Sequence, residues 1–215
     1  MNAPLFKRIV SVGGNCQPAH QIKRIARGAE AQLFDWLLIG AENAARLIEN
    51  DFAGFLDPAG LTLHSGSPGY VLDAAYDVKL LHDFPLRADF LQHAAPTLSK
   101  YAFLAGRWRA LMAEPETVLF VWLGPEGREA IERLAAALRA RRGGRPFTLL
   151  ALRSDAQEPD WQLPEVRNRF LRQPEPYVWT GDDRAWDALF GEFGIKPTPD
   201  FRPANRLVIG PGFGR

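Results

Sequence analysis

Cys16 is the only cysteine of this chain, and its neighbours give it a chemistry. An apolar run, Ile9-Val10-Ser11-Val12, leads into Gly13-Gly14, then Asn15, Cys16 and Gln17, and Pro18 opens a helical pattern. The order reads strand, tight turn, cysteine, helix. A thiol at a helix N-terminus feels the positive end of the macrodipole, which favours the thiolate, the nucleophilic form. Free N–H groups at the same place can hold an oxyanion. The competing structural reading is a buried cysteine that serves as a small hydrophobe.

A cysteine nucleophile needs a base, usually histidine, and a group that orients the base. Of the four histidines, His82 is the strongest candidate, because it ends an apolar strand inside the compact His82-Asp83-Phe84-Pro85 turn. Its structural reading is a hydrogen-bonded loop histidine. His20 lies one helical turn beyond Cys16, poorly aimed at it, and reads as a surface or packing residue. His64 sits in a turn, and His93 ends a helical stretch with no obvious partner. Asp35 stands among Leu33, Phe34, Trp36, Leu37 and Leu38, where an acid is costly to bury unless paired. It caps the next helix, bonds loop amides, or orients a histidine. Asp83 competes for that last role, and fits it only if the backbone turns, since adjacent residues on an extended chain point to opposite faces.

These residues must be positioned by regular elements. Strands are expected over 7–12, 118–123 and 147–152, with a weaker one over 166–171. The run at 118–123 is apolar throughout, as in a strand buried on both faces, and 147–152 reads as another buried strand. Helical spacing covers 18–27 with Gly28 as its stop, then 41–49, 96–112 and 126–142, and a last helix capped by Asp182 or Asp183. Strand–helix–strand order after residue 118 predicts an α/β fold, a mostly parallel sheet flanked by helices, with Cys16 at its carboxyl edge. A small β-rich insertion is expected around residues 61–84, where Ser-Gly-Ser-Pro-Gly and Asp-Ala-Ala separate short segments. Residues 1–195 are expected to form a single domain, followed by a Pro/Gly-rich tail over 196–215. The basic cluster Arg139, Arg141, Arg142 and Arg145 reads as the solvated C-terminus of a helix.

Composition narrows the function classes. A net charge of +1 provides no global field for nucleic acid or an anionic membrane. One cysteine excludes an internal disulfide and an all-cysteine metal site. No apolar run approaches the ~18 residues of a membrane span, and the N-terminus lacks a long apolar leader core. The expectation is a protein of a reducing compartment, the cytoplasm. No P-loop, Gly-x-Gly-x-x-Gly after a strand, or His-Glu-x-x-His occurs.

Three segments taken together resemble a family. Ser11-Val12-Gly13-Gly14-Asn15-Cys16-Gln17-Pro18-Ala19, Phe34-Asp35-Trp36 and His82-Asp83-Phe84-Pro85 occur in this order, at similar spacing, in a bacterial family of unknown function described as papain-like cysteine peptidases. Asn50-Asp51-Phe52 and Leu119-Phe120-Val121 fit as well, and the resemblance spans about residues 8–155. It implies Cys16 as nucleophile and His82 as base, and it singles out Asp35 and Asp83 without deciding which holds the imidazole. The chain departs from papain-type enzymes, which carry a Cys-Gly-Ser-Cys-Trp type signature and a histidine far downstream.

The expected activity is that of a cysteine peptidase, or of a cysteine hydrolase or acyltransferase. It would act on an amide or thioester carbonyl of a peptide, acyl or glycan-linked small substrate, with no metal or organic cofactor. Asn15 and Gln17 are expected at the oxyanion and Trp36 at the substrate. The alternative is a non-catalytic glycan- or peptide-binding module in which the Cys, Asp and His motifs are structural. An esterase with a late histidine is disfavoured, because no histidine follows His93.

Overall fold

The structure, a computed structural model, describes residues 6–26 and 29–196. The helix stop expected at Gly28, and the Pro/Gly-rich tail beyond Lys196, lie outside the described residues. Four strands form a parallel sheet in the order β1-β6-β7-β8: β1 (Arg8–Ser11), β6 (Val118–Leu123), β7 (Phe147–Arg153) and β8 (Val166–Phe170). A second, antiparallel sheet has the order β2-β5-β4-β3: β2 (Leu37–Leu38), β3 (Leu61–His64), β4 (Tyr70–Asp73) and β5 (Val78–Leu80). The helices are α1 (Gln17–Ile25), α2 (Ala41–Glu49), α3 (Ala95–Ala113), α4 (Arg128–Arg142) and α5 (Asp183–Gly191). The mixed α/β architecture is the one expected. The insertion differs in one respect, because the stretch after Trp36 joins it: Leu37 and Leu38 pair with Leu80 and Lys79. None of the described helices is long and apolar enough to cross a membrane.

The period-2 geometry of a strand explains why β6 is apolar at every position. Phe120 and Trp122 face one core, which holds α2, α3, α4 and residues of the antiparallel sheet such as Leu37, Val71 and Leu80. Leu119, Val121 and Leu123 face the other, with Ile22 and Ile25 of α1 and Trp186, Leu189 and Phe190 of α5. Each large apolar side chain buried this way contributes about 1.5–3 kcal/mol. Trp108 of α3 anchors the approach to Asp35. Its ring lies 5.0 Å from that of Phe34, edge-on, and it also meets Phe52 and Phe120.

The basic cluster at the end of α4 is a correction. Arg142 is fully buried rather than solvated. Its guanidinium donates to the carbonyls of Leu111 (2.9 Å), Met112 (3.5 Å), Glu114 (3.0 Å), Glu116 (2.7 Å) and Pro146 (2.9 Å). Arg141 donates to the carbonyls of Ile48 and Glu49 at the end of α2. The dipole argument placed the charge correctly and missed its target: carbonyls left over at the ends of α2 and α3 collect these guanidinium donors. Removing a buried charge leaves its partners unsatisfied, so Arg142→Leu is expected to lower stability by about 3 kcal/mol or more. Arg142→Lys should recover little, since an ammonium cannot reproduce the planar fork. Urea unfolding measures both, and a Leu variant as stable as the wild type would show that the five contacts contribute nothing.

Candidate active site

Cys16 sits where β1 runs into α1, at the carboxyl edge of the parallel sheet. The turn lies almost on the backbone of β6. A Cβ on Gly14, whose φ is +83°, would stand 1.9 Å from the Leu123 carbonyl oxygen. Only glycine allows that approach and that conformation. Gly14 also bridges Ile39, which ties the turn to the start of α2. Asn15 then acts as a strut: its Nδ2 donates to Leu123 O (3.2 Å) and its Oδ1 accepts the Gln17 N–H (2.9 Å). Cys16 caps α1 with Pro18 in its first turn, and its own N–H has no acceptor among the described residues.

Gln17 corrects an expectation. Its carboxamide, expected at an oxyanion, is buried and spent on structure. Nε2 donates to Gln173 Oε1 (3.1 Å) and Trp179 O (3.0 Å), and Oε1 accepts from Gln173 Nε2 (3.0 Å) and Trp186 Nε1 (3.2 Å). The Asn15 carboxamide is engaged as well, which leaves the Cys16 N–H as the donor offered at this turn.

Two buried acids flank the thiol. Asp35 follows the anchored Phe34. Its carboxylate accepts the Gln32 N–H (3.0 Å) and pairs with Lys23 (3.0 Å). Asp83 pairs with Lys100 (2.5 Å) and accepts from the Tyr101 hydroxyl (3.0 Å), while Thr97 donates to its backbone carbonyl (2.5 Å). Among the described residues neither carboxylate bonds a histidine, and the His82 ring makes no hydrogen bond. A buried acid is held most cheaply by a permanent cation, and a lysine supplies one at every physiological pH where histidine does not. His82 is exposed and stands edge-on to Trp36, with ring centroids 6.2 Å apart. The Lys23 ammonium lies 4.7 Å from the Trp36 centroid, a cation–π contact. The remaining histidines have packing or surface roles: His20 meets Trp179 edge-on, His64 stacks on Tyr70, and His93 contacts Arg87 and Asp89.

Lys23, Thr97, Lys100 and Tyr101, which hold the two acids, are partners that sequence reasoning missed. For Lys23 a signal existed, since the buried Asp35 demanded a cation. Tyr101 fell on the apolar stripe of α3, and its hydroxyl left no trace in the pattern.

The electrostatics reverse another expectation. Burial, and then the charges of Asp83 and Asp35, push the Cys16 thiol up to about 11. Both carboxylates are nearly inaccessible, at 4 and 5% exposure, while the ammonium-bearing side chains are 43 and 33% exposed. Water screens the lysines more than the acids, so the thiol feels net negative charge. Burial raises Tyr101 also, reinforced by Asp83, Asp35 and Cys16. The resting form is therefore the thiol. Against an ordinary value of 9.0, a shift to about 11 leaves roughly 100-fold less thiolate at pH 7. Iodoacetamide should label Cys16 more slowly than a free thiol at pH 7, with a rate that climbs beyond pH 9. Asp83→Asn and Asp35→Asn, which each remove a negative charge, should each speed labelling several-fold. Labelling at pH 6 faster than a free thiol would refute this account of the site.

No curated protein and no solved structure matches the chain. One family model matches residues 7–153, and its description reads "Putative papain-like cysteine peptidase". The matched span holds Cys16, Asp35, Trp36, His82, Asp83 and the first three strands of the parallel sheet in sheet order, and it exceeds half of the chain. By that match the chain belongs to this family of papain-like cysteine peptidase candidates.

Proposed function

We propose that the protein is a cysteine peptidase or related acyl-transfer hydrolase in which Cys16 is the nucleophile and His82 the general base. The observation that carries the reading is the position of Cys16: a half-buried thiol capping α1 at the carboxyl edge of a parallel sheet, its own N–H without an acceptor among the described residues. Ligands of open α/β sheets bind at that edge. The raised thiol favours a base that removes the proton during attack over a resting ion pair.

In that scheme the His82 imidazole accepts the Sγ proton as sulfur attacks the carbonyl carbon. The Cys16 N–H donates to the oxyanion. Collapse expels the amine, which takes the proton from His82, and leaves a thioester on Cys16. Water then gives a proton to His82 and attacks the thioester, and the returning sulfur recovers that proton. Asp35 and Asp83 act in this reading as fixed charges paired with Lys23 and Lys100. They keep the thiol protonated until substrate arrives. Trp36 provides the ring between His82 and Lys23.

One observation favours a second reading, the non-catalytic binding module: both acids are satisfied by lysines, and among the described residues the His82 ring makes no hydrogen bond. Hydrolysis of a pooled peptidyl-coumarin library separates the two. Cys16→Ala should abolish turnover, and His82→Ala should lower kcat by about 10²–10⁴-fold and remove the acidic limb of its pH profile. Turnover retained by Cys16→Ala would end the hydrolase reading, and an unchanged profile in His82→Ala would end the role of that histidine.

A further inference from the structure

The segment before α5 lies outside the family match, and it presents large apolar side chains to solvent beside α1. Tyr177 is 65% exposed, Val178 45% and Trp179 49%. Three consecutive residues of this kind are unusual on a surface that has no task for them. They are not loosely held. Gln17 donates to Trp179 O, Gln21 donates to Thr180 O (2.6 Å), Trp179 meets His20 edge-on at 5.1 Å, and the Gly181 N–H closes a turn on Val178 O. The anchors Gln17, His20 and Gln21 all belong to α1, the helix that Cys16 caps. Backbone and one ring edge are fixed while the apolar surfaces stay open.

Next to this loop is a cavity of about 130 Å³ over the carboxyl ends of β6 and β7. Asn15 and Gln17, on either side of Cys16, form one wall. Leu123 and Pro125 lie against it, and Ser154 and Tyr177 come from beyond residue 153. At ~30 Å³ per water, the space holds about four waters, the bulk of one side chain and far less than a whole small-molecule site. Its amide and carboxylate groups are already used, which leaves the hydroxyls of Ser154 and Tyr177 as its open polar groups. The carboxamides of Asn15 and Gln17 bond inside the protein, and both oxygens of Asp155 are taken by Arg153. Among the described residues no unpaired charge lines the cavity to receive a charged occupant.

We infer that this cavity and the Tyr177–Trp179 loop form a subsite for an aromatic or branched aliphatic side chain of the acyl substrate presented to Cys16. The inference rests on Cys16 as nucleophile and adds the substrate class. The apolar side chain fills the cavity, Tyr177 covers it, and the anchors on α1 fix its distance from the thiol. Ser154, Gln173 and Tyr177 belong to the C-terminal segment, so part of the subsite is supplied from beyond the matched residues 7–153.

The test uses N-acetyl-phenylalanyl and N-acetyl-glycyl chloromethyl ketones at pH 9, with labelling of Cys16 followed by mass. The iodoacetamide rate of each variant normalises its thiol reactivity. The phenylalanyl reagent should label the wild type at least tenfold faster than the glycyl reagent. That ratio should fall toward one in Tyr177→Ala and in Ser154→Phe, which fills the cavity. Equal rates in the wild type, or a ratio kept by both variants, overturn the subsite. If Cys16 resists every reagent, the nucleophile reading fails by itself. The subsite is then decided in Cys16→Ser by titrating N-acetyl-phenylalanine methylamide against backbone amide shifts. Saturable shifts at Gly124, Ser154 and Tyr177 support it, and their absence overturns it.

Discussion

The Cys16 turn exists because two backbones pass at a distance that no side chain allows. Gly14 lies against the Leu123 carbonyl at the end of β6, and the Asn15 amide bridges the same carbonyl. That contact sets the height of the turn above the sheet and the entry angle of α1. It fixes where the thiol stands relative to Asp35, Asp83 and Tyr101. The continuous burial of β6 keeps the platform rigid, since its side chains are locked into cores on both faces. The chemistry of the site thus begins with an absent methyl group.

Charge is handled by enclosure. Each acid near the thiol is buried and each is answered by a lysine whose head reaches water. Such a pair is neutral from a distance, yet a group close to the buried end still feels the acid. The arrangement therefore biases Cys16 toward its protonated form without leaving an uncompensated charge in the protein. The carboxylates are thus held by permanent cations, where a histidine-centred triad would use them to hold an imidazole.

Much of the scaffold was legible because burial leaves a period. The runs at 118–123 and 147–152, the helix at 41–49 and an aspartate cap at 182 or 183, which falls on Asp182, all follow from one-dimensional patterns. The turn at Cys16 was readable from glycine, asparagine and proline in succession. Partners joined across long sequence distances were not. Nothing near Asp83 announces Lys100 and Tyr101 on α3, and nothing near Gln17 announces Gln173 and Trp186. Arg142 was misread for the same reason. A cationic helix end looks alike in sequence whether water or a set of backbone carbonyls receives it.

The strand order has a further consequence, in chain entropy. Val118 pairs with Phe147 across a single helix, whereas Arg8 must find Val118 across the whole antiparallel sheet and α3. The longer closure costs about 1 kcal/mol more by the logarithmic law. It is also met by the shortest of the four strands, at an edge. β1 is thus the strand with the least local support and the most to lose on opening. The residues that carry the thiol hang from the sheet by its weakest seam, and any partial opening of the sheet that begins there dismantles the Cys16 turn while β6, α4 and β7 remain paired and packed.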